Sequence, residues 1–219
     1  MGNMAWNNNF AYALGLITSD GNLSPDGRHL AFISTDMDLI DTFKRCLNLK
    51  NRVSLKKSGG YSESNSKKCY VVQFGNVKLY NFLTDVGLGP NKSKAIGPLL
   101  VPPAYFADFL RGLIDGDGSI GYFMHPESKK KQFRIRITSA SRRFLEWLRT
   151  RLTMTLGIKG SIEIVPRAFQ LNYYKSDSKK IAQFVYYSKD VPCLERKFAK
   201  ARLMICEGGE TGIRSSLRS

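Results

Sequence analysis

The stretch FADFLRGLIDGDG (residues 106–118) decides the fold, because a version of it already occurs as FAYALGLITSDG (10–21). Setting Gly15-Leu16-Ile17 against Gly112-Leu113-Ile114 places Asp20 opposite Asp117 and Gly21 opposite Gly118, an offset of 97 residues. The likeness continues downstream. FISTDMDLIDTFKRCL (32–47) pairs with RITSASRRFLEWLRTRL (136–152), and NRVSLKK (51–57) with GSIEIVP (160–166). GNVKLYNFLTDVGLGPNKSKA (75–95) pairs more loosely with KSDSKKIAQFVYYSKDVPCLERKFAKA (175–201). Internal repetition of this kind is read as a duplicated structural unit. The division expected is a first repeat over 1–96, a Pro-rich linker over 97–105, a second repeat over 106–207 and a disordered tail over 208–219.

Each repeat has the same predicted order. A helix carrying the shared motif leads into a hairpin, across SPDG (24–27) or HPESKKK (125–131). A longer helix follows, near 36–48 and 140–156, where Leu39, Ile40, Phe43 and Leu47 and then Phe144, Leu145, Leu148 and Leu152 keep helical spacing. A second strand pair (52–57 with 68–74; 160–165 with 168–174) and a closing helix complete the unit. The fold class is therefore α+β, two αββαββα repeats related by a pseudo-twofold axis. The polar segment KSGGYSESNSKK (57–68) reads as a mobile loop.

Several strands present one polar face. In QFRIRIT, Phe133, Ile135 and Ile137 alternate with Gln132, Arg134, Arg136 and Thr138, and a period of two sends the two sets to opposite faces. RVSLK turns Arg52, Ser54 and Lys56 outward, and FQLNYY does the same with Gln170, Asn172 and Tyr174. The strand at 28–34 fits less well, since matching Ile33 to Ile137 would turn Leu30 and Phe32 outward. Arg, Lys, Gln and Asn on such faces are the side chains that neutralise phosphates and pair with base edges.

Charge agrees. The 219 residues hold 34 Lys plus Arg against 18 Asp plus Glu, a net charge of +16 that favours a polyanionic partner. No apolar run approaches the ~18 residues of a membrane span, and MGNMAWNNNF lacks the basic and apolar regions of a secretory signal. An intracellular protein is expected, in a bacterial cytoplasm or an organelle matrix. The four cysteines (Cys46, Cys69, Cys193, Cys206) are scattered and the only histidines are His29 and His125, so zinc-finger spacing is absent.

The motif itself points to chemistry. Gly15 with Ser19, and Gly112 with Gly116, are small residues four apart on predicted helices. Glycine inside a helix costs about 1 kcal/mol relative to alanine, so close approach of two helix backbones is its best explanation. The motif helices are expected to pack on each other, with Gly21 and Gly118 as helix stops in a left-handed conformation. That geometry gathers Asp20 and Asp117 at the negative ends of two helix dipoles, where like charges repel. Mg²⁺ offsets such a cost: hard carboxylate oxygens suit it, and it retains sites for water and substrate phosphate. Two acidic groups beside a basic face describe metal-assisted phosphodiester hydrolysis. Mn²⁺ is expected to substitute for Mg²⁺, and Ca²⁺ to bind without supporting cleavage. Gly116-Asp117-Gly118-Ser119-Ile120-Gly121 spells G-x-G-x-x-G, but it follows a helix and precedes a strand, the reverse of a dinucleotide fingerprint.

ALGLITSDG (13–21) and LRGLIDGDG (110–118) resemble the two motifs of a single-chain LAGLIDADG homing endonuclease. The second departs from the family pattern only at Arg111 and Gly116; the first has Thr18 and Ser19 where the family has Asp and Ala. The resemblance spans about 10–205. It implies curved antiparallel sheets forming a saddle over duplex DNA, and implies that Asp20 and Asp117 bind Mg²⁺ and cleave one strand apiece. It implies a long, nearly asymmetric double-stranded DNA target and short 3′ overhangs. A lysine before the closing helix, helping to polarise phosphate or solvent, is also implied; Lys92 in GPNKSKA and Lys197 in LERKFAKA match, with phosphate anchoring or a solvated charge as the alternative for each. With both halves in one chain, a monomer without an obligate protein partner is expected. An RNA-binding intron maturase and a catalytically silent DNA-binding regulator remain the alternatives on the same fold.

Overall fold

The computed structural model describes residues 5–57, 68–90, 95–124, 127, 129 and 131–206. The loop over 58–67, the candidate Lys92 and the tail over 208–219 lie outside the described residues.

In the first repeat, helix α1 (Asn8–Asp20) runs straight into strand β1 (Gly21–Leu23). There follow β2 (His29–Ser34), α2 (Met37–Cys46), β3 (Val53–Lys57), β4 (Lys68–Gly75) and α3 (Val77–Val86). In the second, α4 (Phe106–Asp117) leads into β5 (Gly118–Met124), then β6 (Lys131–Ser139), α5 (Arg142–Leu156), β7 (Ser161–Val165), β8 (Ala168–Tyr174) and α6 (Lys175–Val185). A further helix, α7 (Glu195–Cys206), extends the second repeat beyond the expected order.

Each repeat forms one four-stranded antiparallel sheet, ordered β1-β2-β4-β3 and β5-β6-β8-β7. The identical order is the structural trace of the duplication. Helix boundaries follow local chemistry. The side chain of Asn7 accepts from Phe10 N, and that of Asn76 from Leu79 N. Ser141 Oγ accepts from Phe144 N while donating to the Ile96 carbonyl at 2.6 Å, which ties the start of α5 to the linker. Gly87 (φ 111°) and Gly157 (φ 63°) close α3 and α5 in the left-handed region.

The motif glycines end their helices differently. Gly21 and Gly118 are extended (φ −80° at both), not left-handed as expected. The strand begins at the glycine itself, so the backbone must already be extended there. Glycine is required for space: a Cβ at Gly21 would stand 2.6 Å from Ile17 O, and one at Gly118 2.6 Å from Ile114 O.

Register sorts the sheet faces. Gly21 pairs with Phe32 as Gly118 pairs with Ile137, so Phe32, not Ile33, is the counterpart of Ile137. Leu30 and Phe32 consequently face the core with Leu23, Val72 and Phe74. In the second sheet Ile120, Ile135, Ile137, Leu171 and Tyr173 do the same. The core is continuous across both repeats, through α1 and α4.

Candidate active site

Helices α1 and α4 are buried nearly all round, from Phe10 to Thr18 and from Asp108 to Asp115. The apolar side chains face sheets and helices on every side, which is why α1 shows little amphipathicity. Their mutual contact is backbone to backbone. A Cβ on Gly15 would stand 2.6 Å from Leu113 N and 2.9 Å from Gly112 C; one on Gly112 would stand 3.0 Å from Tyr12 C and 3.1 Å from Gly15 Cα. One on Gly116 would stand 2.7 Å from Ser19 Cβ and 2.8 Å from Asp20 Oδ2. Contacts therefore advance in step along both helices, from Tyr12 through Gly15 to Ser19 and from Phe109 through Gly112 to Gly116. The helices run parallel, and their C-terminal ends lie together.

Asp20 and Asp117 occupy those ends. Asp20 Oδ2 sits against Gly116, the residue before Asp117, and Asp20 is half-buried while Asp117 is exposed. A cleft of about 70 Å³ beside them is lined by Thr18, Ser19 and Asp117 and by Thr138, Ser139 and Ala140 at the end of β6. The donor set fits Mg²⁺, since the two groups at the shared helix end are hard carboxylates. Mg²⁺ is bound through one or two carboxylates with water and substrate phosphate completing its octahedron, rather than by an all-protein cage.

The candidate lysines differ. Lys92 is outside the described residues. Lys197, on α7, is 5% exposed, and its ammonium lies under the end of α4. Nζ donates to the carbonyls of Ile114 (2.7 Å), Asp115 (2.7 Å), Gly116 (3.0 Å) and Gly118 (2.7 Å). Burial, with some help from the Arg196 charge, draws its pKa down to about 8, and the charges of Asp115, Asp20 and Asp117 pull the other way. It is neither a solvated surface charge nor a side chain reaching out of the fold.

A buried polar network, not foreseen from the sequence, braces the same helix. Asp115 accepts from Tyr12 OH (2.9 Å), Tyr186 OH (2.7 Å) and Leu194 N (2.7 Å). Burial pushes its carboxyl up, while those hydrogen bonds oppose the shift. Arg111, fully buried, pairs with Asp108 and donates to the carbonyls of Val185 and Pro192 (both 2.8 Å). Its guanidinium lies over the rings of Tyr12 and Tyr187. The segment from Tyr186 to Leu194 is thereby strapped across both motif helices. The i, i+3 spacing of Asp108 and Arg111 was the one available signal.

The polar sheet faces come out as two sets. Arg134, Arg136 and Thr138 on β6 lie opposite Tyr174, Asn172 and Gln170 on β8, on the face away from the core, with Gln132 further along β6. Gln170 Nε2 donates to Thr138 Oγ1, and Asn172 Nδ2 to the Gln170 carbonyl. Asn172 is buried, and its Oδ1 finds no partner among the described residues. Phe123 joins this face, beneath the Arg134 guanidinium and edge-on to Tyr174. Ser54 and Lys56, exposed on β3, share the corresponding face of the first sheet with Gln73 and His29, and Arg52 stands exposed just before β3. His29 is paired with Asp26, whose carboxyl is held well below the usual range by hydrogen bonds from His29 and from Arg28 N. No described helix is long and apolar enough to cross a membrane.

Residues 105–208 match the LAGLIDADG-like domain family. The second repeat thus carries the family's domain, and the chain as a whole resembles that family. No curated protein sequence matches it. Among solved structures, the homing endonuclease I-WcaI bound to its DNA recognition sequence aligns with a TM-score of 0.66 at 13% identity, covering 92% of this chain and 94% of that one. Variants of the homing endonuclease I-DmoI align at 0.56 with 18% identity, covering 88% and 97%. Full-length DUF199/WhiA from Thermatoga maritima aligns at 0.59 with 16% identity over 96% of this chain. The chain spans 65% of that protein's length. At such identities the likeness shows the fold, two antiparallel four-stranded sheets with flanking helices.

Proposed function

We propose that this chain is a site-specific endonuclease that hydrolyses both strands of duplex DNA as a monomer, with divalent metal held by one carboxylate from each motif. The observation that carries the reading is the parallel packing of α1 and α4, which sets Asp20 against Gly116 beside Asp117 at one shared end. Mg²⁺ there supplies activation of water and stabilisation of a leaving phosphate oxygen. The chain's own residues do the rest. Asp20 and Asp117 would hold the metal; Gln132, Arg134, Arg136, Thr138 and Gln170, with Arg52, Ser54 and Lys56, face the duplex, while Asn172, buried on the same face, supports the Gln170 backbone. The guanidinium groups neutralise phosphates or engage guanine edges, and the amides pair with adenine edges. A long target with unlike halves follows from the unlike side chains of the two faces.

Fold alone does not fix activity, since homing endonucleases and WhiA share it. The carboxylate pair favours the nuclease. Selecting cleaved sites from a random DNA pool in Mg²⁺ tests it. Wild type yields a defined site, Mn²⁺ replaces Mg²⁺, Ca²⁺ supports binding without cutting, and Asp20→Asn or Asp117→Asn abolishes double-strand cleavage with affinity retained. Binding without any cut site in Mg²⁺ refutes the nuclease and favours a silent DNA-binding protein; preference for structured RNA over duplex favours a maturase.

A further inference from the structure

We propose that Lys197 is a positioning residue: it holds the last turn of α4 from beneath and thereby sets where Asp117 presents its carboxylate, without itself meeting the substrate. The inference rests on the reading of Asp117 as a metal-holding group.

Three observations carry it. The last carbonyls of any helix lack intrahelical donors. In α4 the Gly118 N–H reaches Ile114 O, leaving Asp115 O and Gly116 O beyond the helix's own reach. Lys197 Nζ supplies both and adds Ile114 O and Gly118 O, so it brackets Asp117 on either side. An ammonium has three N–H groups. Four carbonyl oxygens within 3.0 Å engage them all, which leaves none for a phosphate.

Helix α4 brings no hydroxyl of its own to this end. In α1, Thr18 Oγ1 donates to Leu14 O and Ser19 Oγ to Leu16 O, so hydroxyls back the turn before the helix end. The corresponding residues of α4 are Asp115 and Gly116. Neither brings a hydroxyl, and the Asp115 carboxylate is itself spent on Tyr12, Tyr186 and Leu194 N. The donor therefore comes from outside the helix.

The strap delivers it. Arg111 fixes Val185 O and Pro192 O, and Asp115 fixes Leu194 N, one turn before Lys197. Phe198 packs against Tyr186 with ring centroids 5.4 Å apart. Lys197 is thus anchored on both sides before it reaches the carbonyls, and its position is set by the same helix that it braces.

The test uses the full chain with the variants Lys197→Met, which keeps the stem and loses the donors, and Lys197→Arg, which keeps the charge. Folding is checked by circular dichroism and thermal melting. Mn²⁺ affinity of the DNA-free protein is read by electron paramagnetic resonance, with Asp117→Asn as reference. Cleavage of the selected site is followed with each strand labelled separately. Groups that orient a metal ligand are worth about 10–100-fold in affinity or activity. The expected result is a fall of that size in Mn²⁺ affinity for Lys197→Met, with one strand slowed that much more than the other, so that nicked product accumulates while DNA affinity stays within about twofold. Lys197→Arg is expected to recover part of the loss; if Lys197→Met does not fold, strand bias in Lys197→Arg decides. Variants that bind Mn²⁺ normally and cut both strands at equal rates overturn the positioning role and leave the nuclease standing. A wild-type chain that binds no Mn²⁺ through Asp117 and cuts no site overturns the nuclease, and the positioning role with it.

Discussion

Replacing Gly15 by alanine adds a single methyl group where the motif helices touch backbone to backbone. That methyl carbon would stand 2.6 Å from Leu113 N and 2.9 Å from Gly112 C, both backbone atoms of a buried helix. Ordinary carbon contacts begin near ~3.5 Å, so α1 and α4 must part by roughly 1 Å at that point. A gap of this size forfeits about a quarter to a half of the dispersion energy of each contact along the seam. Overpacking of this kind costs about 1–3 kcal/mol and occasionally more, while alanine's better helix propensity returns about 1 kcal/mol. The seam here is backbone and cannot swing aside, so the net expectation is a loss of about 2 kcal/mol. With a urea m-value of about 2–3 kcal/mol/M, the unfolding midpoint moves down by roughly 1 M. Gly89→Ala is the control, since nothing lies within 4 Å of its added carbon; its midpoint is expected to hold. The double substitution Gly15→Ala with Gly112→Ala should cost less than the two single losses together, because the first already separates the helices. A Gly15→Ala midpoint equal to wild type would refute the close backbone contact, and with it the convergence of Asp20 and Asp117.

Other outcomes follow from the buried charges and the thiols. Arg111→Met leaves the Asp108 carboxylate buried beside Tyr187 without its cation, so a loss of about 3–5 kcal/mol is expected in chemical unfolding, and an added Asp108→Asn should recover part of it. Burial pushes the Cys46 thiol up to about 12 and Cys193 to about 11, which leaves Cys46 about 0.01% thiolate at pH 8. The exposed Cys206 should therefore be labelled first by a thiol reagent in native buffer, and Cys46 only on unfolding, as peptide mapping will show. Arg136→Ala should lower the slope of log affinity against log salt by about 1 if the guanidinium meets phosphate, or relax base preference at one position if it meets a base edge. No change in either measurement would remove Arg136 from the interface.

What the sequence made legible was whatever rests on local periodicity. The alternation in QFRIRIT put Arg134 and Arg136 on one face and Ile135 and Ile137 on the other, and the backbone register does the same. Gly15 and Gly112, awkward inside helices, marked the place where two backbones touch. The failures have equally local causes. Helix α7 was folded into a single closing helix because its inward positions are Lys197, Phe198, Ala201 and Met204, and a charged residue in a core slot breaks the apolar pattern. Asp108, Arg111 and Asp115 are buried through partners far away in the chain, which local periodicity does not register. The left-handed expectation at Gly21 and Gly118 assumed a loop after the helix, whereas a strand starts at once and the glycines relieve a clash with Ile17 and Ile114. For the strand at 28–34, counting from Ile33 was wrong by one residue, which is enough to exchange the two faces.

The charged brace belongs to one repeat alone. Where the second repeat has Asp108, Arg111 and Asp115, the first has Ala11, Leu14 and Thr18, and the tyrosine that serves Asp115 stands at position 12, opposite a phenylalanine at 109. The halves have become lock and key rather than mirror images. A chain made by doubling the C-terminal half would meet itself with a phenyl ring where a hydroxyl stands now, costing each buried Asp115 one of its three hydrogen bonds. Any chimaera with a foreign partner must carry Tyr12 across, or redesign the seat it fills.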